Sequence, residues 1–313
     1  ADVEATTRCF LELIRFGQFT VSELGKGDDY ISNFTKLNSQ PFEPVGLKHQ
    51  NLKKESDKIR KAQAQNKGVH KDIHTKEDLD KLVDFSFSHL HNHSQYSILQ
   101  STTQIDGLIE KCSEYGMHAV ALTDSGNMMA AFHFEAAANK YNQKVRIDRE
   151  NAKKEGLPYS KKEILPIIGC EFNVCKDMND KTQKDNGSRV VLLAKNKAGY
   201  QNLIKLASAA YTSGMYYVPR IDKTILLEYN TDLIVLSAVV NGVDSTLILN
   251  VGEQQAEEEF VWWHNTFGDD FYVEINRHGL EEENHVNKVL LKLAKKYNVK
   301  LIASNNVYYL NKE

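Results

Sequence analysis

From residue 85 onward, short apolar runs alternate with longer stretches whose apolar positions recur at helical spacing. The runs are FSFSHLH (85–91), HAVALTD (118–124), LPIIGCEFNV (165–174), RVVLLA (189–194), DLIVLSA (232–238), DFYVEIN (270–276) and VKLIAS (299–304). They are rich in β-branched and aromatic residues. Several are apolar almost without interruption, as strands covered on both faces are. Between them, TTQIDGLIEKCSEYG, MMAAFHFEAAANKY, KAGYQNLIKLASAAY, EEEFVWWHNTF and EEENHVNKVLLKLAKKY read as helices. Thr103 with Asp106 three residues on predicts a capping box, and Gly116 a C-terminal cap. Repeated strand–helix alternation predicts an α/β fold with a parallel sheet, either a barrel or an open doubly wound sheet. No G-x-G-x-x-G follows the first strand, which weighs against a dinucleotide-binding sheet. The polar stretch 141–163 predicts a surface excursion.

The first 83 residues have a different texture. Cys9, Phe10, Leu13 and Ile14 lie at helical spacing within 1–15, predicting an amphipathic helix whose apolar face needs a partner. Residues 20–83 are polar and charge-rich and read as a solvated, partly helical linker. Between Gly46 and Lys71, eight basic residues (Lys48, Lys53, Lys54, Lys58, Arg60, Lys61, Lys67, Lys71) face Glu55 and Asp57. A sharper reading makes this a strip that meets DNA phosphates, though no aromatics interleave.

Composition narrows the classes. The 313 residues suffice for one large domain or two ordinary ones. A net charge of −3 gives no global attraction to nucleic acid or membrane. No apolar run approaches a bilayer span, and no secretory signal opens the chain. Cys9, Cys112, Cys170 and Cys175 lack disulfide-framework or zinc-ribbon spacing, which predicts reduced thiols in a cytoplasmic protein. The chain starts at Ala1 and stops at YYLNKE, and reads as a piece of a longer polypeptide.

Parallel α/β folds collect their chemistry at the carboxyl ends of strands. The first run ends in His89, His91 and His93, which alternation places on one side. The second delivers Asp124, the third Glu171, the fourth begins with Arg189, and the sixth leads to His278. His91, His93, Asp124, Glu171 and His278 together would suit zinc, manganese or iron. Each taken alone is more simply a polar side chain at a strand end.

Seven blocks occur in order: FSHLHNHSQYSIL, GMHAVALTDSGNMMAAFHFEAA, LPIIGCEFNV, LLAKNKAGYQNLIKLASAAY, YYVPRID, FYVEINRHGLEEENHVNKVLLKLAKKY and NNVYYL. Over 85–313 they resemble the polymerase-and-histidinol-phosphatase (PHP) domain at the front of the bacterial replicative DNA polymerase III alpha family. The resemblance implies a distorted seven-stranded (β/α)7 barrel over 84–313, stopping just after the seventh strand. ADVEATTRCFLELIR is similar to the final helix of DEDD-type proofreading exonucleases, with Asp2 as the metal-binding aspartate. Residues 1–19 would be the end of such an exonuclease and 20–83 the linker to the next unit.

The resemblance implies metal ligands at His91, His93, Asp124, Glu171 and His278. It also exposes departures. Gln100 replaces an aspartate, Ser125 a histidine, Arg189 a histidine, Asn306 an aspartate and Tyr308 a histidine. Amides, serine and tyrosine are weaker ligands than the groups they replace, and Arg189 brings positive charge where cations would sit. A multinuclear site is therefore expected to be lost, with Arg189 pairing Glu171 or Asp124. One zinc or manganese on His91, His93 and Glu171 is the remaining metal option.

Two functions follow. One is a scaffold domain of a replicative polymerase, bracing it and positioning the exonuclease. Its magnesium-dependent nucleotidyl transfer would use carboxylates downstream, leaving this chain alone inactive. The other is a metal-dependent phosphoesterase or 3′–5′ nuclease using a reduced metal site. A pure interaction module is a third, with exonuclease, sliding clamp and other replisome subunits as the expected partners and no membrane.

Overall fold

The computed structural model describes residues 2–43, 87–237 and 242–311, with the side chains of residues 2–4, 243, 244 and 246 excepted. The basic stretch 48–71, residues 85–86 and the Asp2 side chain therefore lie outside the described residues. The chain divides into two compact units, Ala1–Val83 and Asp84–Glu313.

In the first unit, helix α1 (Asp2–Arg15) carries the predicted amphipathic pattern. The next helix, α2 (Tyr30–Leu37), packs on it. Thr35 Oγ1 donates to the Arg15 carbonyl at 3.4 Å, and the Phe42 amide donates to Glu12 Oε1 at 2.6 Å. Ile14 is buried by this pairing, while Phe10, Leu13 and Phe16 remain exposed. Part of the partner that α1 needs thus comes from within 20–43.

The second unit holds a curled, mixed seven-stranded sheet in the order β1-β2-β3-β5-β6-β7, with β4 pairing β2 off this path. The strands are β1 (Ala119–Leu122), β2 (Leu165–Cys175), β3 (Ser188–Ala194), β4 (Arg220–Asp222), β5 (Leu233–Ser237), β6 (Phe271–Ile275) and β7 (Lys300–Ala303). The helices of this unit are α3 (Ile105–Glu114), α4 (Ala131–Glu155), α5 (Lys197–Thr212), α6 (Lys223–Glu228), α7 (Val243–Asn250), α8 (Glu253–Phe267) and α9 (Glu281–Tyr297).

The continuous apolar runs are explained by two buried faces. Along β3, Val190 and Leu192 join the helix-covered core, whereas Val191 and Leu193 join an inner cluster with Ala121 and Leu236. β5 splits likewise, with Leu233 and Val235 outward and Ile234 and Leu236 inward. Leu90, Ile167, Tyr272 and Ile302 complete the inner floor. Strand alternation with both faces buried leaves little room for polar residues.

Several expectations are corrected. The run 85–91 forms no strand among its described residues. The segment instead links the ends of the sheet by single contacts. His89 O and Asn92 O accept from Ala121 N and Thr123 N, while His93 N and Val307 N exchange bonds with Val307 O and His91 O. Nor is the sheet all parallel, since β3 runs antiparallel to both β2 and β5. The connection 176–187 contains no helix, and without a crossover adjacent strands pair antiparallel. The Thr103 capping box does not form. Gln104 is the N-cap without a side-chain bond, and Thr103 Oγ1 is buried without a partner. Gly116 does take the left-handed conformation after α3. The 141–163 stretch continues α4 as helix to Glu155, ended by left-handed Gly156.

Loop 176–187 is organised by Arg220, whose side chain is fully buried. Its guanidinium donates to the carbonyls of Gly214, Asp185, Met178 and Asp180 at 2.7–3.2 Å. Gly214 is required there, because a Cβ would lie 1.9 Å from the Arg220 carbonyl oxygen. We expect Arg220→Met to cost about 3 kcal/mol in urea unfolding, as loss of a buried charged donor does. Limited proteolysis of this variant should cut first within 176–187; an unchanged cleavage pattern would show that the loop is held by other contacts.

Candidate functional site

The inner face that is apolar at its floor becomes charged above it. Glu171 shares a face with Ile167 on β2, Glu274 with Tyr272 on β6, and Arg189 with Val191 on β3. Because β3 is antiparallel, its first residues lie where β2 ends, with Arg189 opposite Asn173. Reversal of one strand thus carries an arginine into the carboxyl-end site.

His91 is buried between two carboxylates. Its Nδ1 lies 2.9 Å from Glu274 Oε1 and its Nε2 3.4 Å from Glu171 Oε1. The first is a hydrogen bond; the second is an ion pair beyond hydrogen-bond geometry. Arg189 Nη1 stands 3.4 Å from Glu171 Oε2 and donates to the Tyr308 hydroxyl at 3.0 Å. His93 is held on both nitrogens: Nδ1 lies 3.0 Å from Ser97 Oγ and 3.3 Å from Ser125 Oγ, and Nε2 3.0 Å from Asn306 Oδ1. The Tyr308 ring stacks flat on His93, centroids 4.2 Å apart. Ser125 Oγ also reaches Glu171 Oε2 at 3.0 Å and Gln100 Oε1 at 3.3 Å. All five replacement residues therefore sit in this one network.

Burial by itself lowers the His91 pKa, but the charges of Glu274 and Glu171 outweigh it and push the imidazole up to about 10. Burial raises Glu171, but its close contact with His91 and the charges of His91, His93 and Arg189 outweigh this and bring it down to about 2. His93 goes the other way: burial is the main cause of its fall to about 4, against the pull of Glu171. With His91 protonated, two cations (His91, Arg189) face two carboxylates (Glu171, Glu274), and the network is neutral.

Of the five predicted ligands, the structure brings three together. Ligand atoms of His91, His93 and Glu171 lie within 4.8 Å of one another, the one such group among the described residues. Asp124 is buried nearby with both oxygens taken, by Ser94 N at 2.7 Å, Ser94 Oγ at 2.6 Å and Ser97 Oγ at 2.7 Å. His278 is half exposed; its Nδ1 is held by Glu283 at 2.5 Å and its Nε2 by the Asn305 carbonyl at 3.0 Å. Neither joins the group. His89 also departs from the expected common side, because its segment lacks regular strand pairing; it lines a different cavity.

These residues do not fit a cluster of dications. Each added cation would meet Arg189 at the shared carboxylate, and Asp124 has no free oxygen to offer. Three donor atoms at that spacing fit, in number, a single ion completed by water. Above the network opens a cleft of about 470 Å³, lined by Gln100, Ser125, Glu171 and Arg189 among others. Glu274 was not singled out in the sequence. Its signal is a carboxylate at an inward position of FYVEI, where a charge needs a buried partner.

Comparison with known proteins adds relatives. The chain is 39% identical over 231 residues to the DNA polymerase III subunit alpha of Borreliella burgdorferi, and 37% identical over 237 residues to that of Aquifex aeolicus. Each match covers 72% of this chain, but the chain spans only 18% of either relative's length. A solved Bifidobacterium adolescentis protein described as a metal-dependent phosphoesterase aligns at 10% identity and TM-score 0.43, over 72% of this chain and 88% of that one. Among the described residues no helix is long and apolar enough to cross a membrane. The PHP domain model matches residues 89–278, which hold every member of the His91–Glu171–Glu274–Arg189 network, and the chain belongs to the PHP domain family.

Proposed function

We propose that this chain is the PHP region of a replicative DNA polymerase III alpha-type protein, and that its cleft is a charge-neutral structural lock rather than a hydrolytic metal centre. The carrying observation is the Arg189 guanidinium on Glu171, beside His91 clamped by Glu171 and Glu274. Fixed cations there do the work that bound dications would otherwise do for the carboxylates. On this reading nucleotidyl transfer belongs to the longer protein, in the cytoplasm. Residues 84–313 brace it, 1–19 are the last helix of a proofreading exonuclease with Asp2 as its aspartate, and 20–83 are the linker. The exonuclease, the sliding clamp, other replisome subunits and DNA are the proposed partners.

A second reading has a specific observation in its favour. His91 Nε2 is buried without a hydrogen-bond partner, beside His93 and Glu171 at ligand spacing. One zinc or manganese there, held by those three residues with His91 deprotonated, would polarise a phosphate ester as a Lewis acid. Ser125 and Gln100, which line the cleft, would then orient the ester.

Metal analysis of the chain purified without chelator separates the two. The lock predicts well under one zinc or manganese per chain and no phosphodiester hydrolysis with added manganese. Stoichiometric metal together with turnover abolished by His93→Ala would refute it. Primer extension by this chain alone should also be undetectable.

The lock makes a second prediction, for metal-free buffer. The folded His91 pKa of about 10 lies above an unfolded value of roughly 6.5, so its stabilisation is full below pH ~6.5 and is lost as pH rises toward 10. His93, at about 4 when folded, has the opposite sign: stability is lost as pH falls from ~6.5 toward 4. Glu171, at about 2, adds a further loss as pH falls below roughly 4.3. Urea midpoints should therefore peak near pH ~6.5 and decline already by pH ~7.5, before the thiols titrate. His91→Gln should cost about 3 kcal/mol or more at the peak and flatten the alkaline decline. An unchanged alkaline slope in that variant would rule out a protonated His91.

A further inference from the structure

A separate cavity of about 530 Å³ opens beside α3 and the segment 305–310. Its volume falls within the range of small-ligand sites, roughly 300–1,000 Å³. It shares no lining residue with the cleft over the charged network. Among the described residues its walls include Lys111 and Arg277 and no carboxylate. Lys111 is bridged to Glu114 at 3.1 Å, and Glu114 lies outside the lining. Two tyrosines of the wall, Tyr115 and Tyr309, are 67% and 62% exposed.

His89 also lines this cavity, and its Nδ1 is buried without a hydrogen-bond partner. The Asn305 and Asn306 amides are in the same lining.

We propose that this cavity binds a nucleotide unit, free or within a single strand, with its base stacked on Tyr115 or Tyr309 and its phosphate at Lys111 and Arg277. Exposed aromatic rings beside cations are the usual means of holding a base and a phosphate without sequence readout. None of this depends on whether the charged network holds a metal.

Titration of the full chain with dTMP and with a fluorescent short oligothymidylate, at low and moderate salt, tests the site. Saturable binding is expected, and Tyr115→Ala with Tyr309→Ala should weaken it roughly tenfold or more. The corresponding Tyr→Phe pair should retain it, which separates lost stacking from lost folding. Lys111→Gln should weaken binding and reduce its salt dependence by about one phosphate contact. Sensitivity of dTMP binding to the tyrosine variants assigns the site to free nucleotides. Sensitivity confined to the oligonucleotide assigns it to single strands. The proposal is overturned if neither probe saturates, if inorganic phosphate displaces the probe as well as dTMP does, or if the Tyr→Ala pair leaves binding unchanged. The last result would place oligonucleotide binding elsewhere, for instance on the basic stretch 48–71.

Discussion

The site rests on one buried ion arrangement. An imidazole inside a protein is normally neutral, because the interior solvates charge poorly. His91 escapes this only because Glu274 and Glu171 stand on either side of it. Removing either carboxylate would leave an uncompensated charge in the lumen, and removing His91 would leave two carboxylates facing each other. Arg189 completes the balance on the cleft side of Glu171. Buried pairs of this kind are poor sources of net stability compared with apolar packing, but they are costly to break in part. The network therefore holds together as a unit, and a dication entering it would have to expel a proton and face a guanidinium.

That arrangement depends on how the sheet is built. Alternation along strands covered on both faces lays Ile167, Val191 and Tyr272 on the floor and lifts Glu171, Arg189 and Glu274 above it. The direction of β3 decides the outcome for Arg189. Were β3 parallel, its first residues would lie at the opposite end of the sheet from the end of β2. Loop 176–187, held by the carbonyl bonds of Arg220, is the turn that permits the reversal. A buried arginine remote from the cleft thus supports the placement of another arginine inside it.

His93 and Asp124 illustrate how ligand-type residues are absorbed into structure. Asp124 accepts three hydrogen bonds from the turn Ser94–Ser97 and thereby fixes the segment that carries both histidines. Ser97 passes this on to His93 Nδ1, Asn306 takes Nε2, and Tyr308 covers the ring. With the ring buried, desolvation outweighs the pull of Glu171 and of the Asn306 bond, and neutrality is the low-energy state of His93, the reverse of its neighbour two residues earlier. The same residue type takes opposite protonation because carboxylates contact one ring and neutral groups contact the other.

Much of this was legible in the sequence. The α5 and α9 helices, the apolar β2, β3, β5 and β6 runs and the PHP resemblance follow from local periodicity and ordered motifs, and the charge of Arg189 pointed to Glu171 or Asp124, between which the fold chose Glu171. The short β4 and α6 carried too few residues to show a period, and 85–91 looked like a strand because composition cannot report missing partners. What the sequence determined alone was which residues are apolar, which are charged and how they alternate, since those depend on the covalent order. Only tertiary structure decided the antiparallel course of β3, the union of His91 with Glu274 across 183 positions of chain, and the exclusion of His278 and Asp124 from the group. Those outcomes turn on through-space charge and donor geometry, which exist only once distant segments have been brought within a few ångströms.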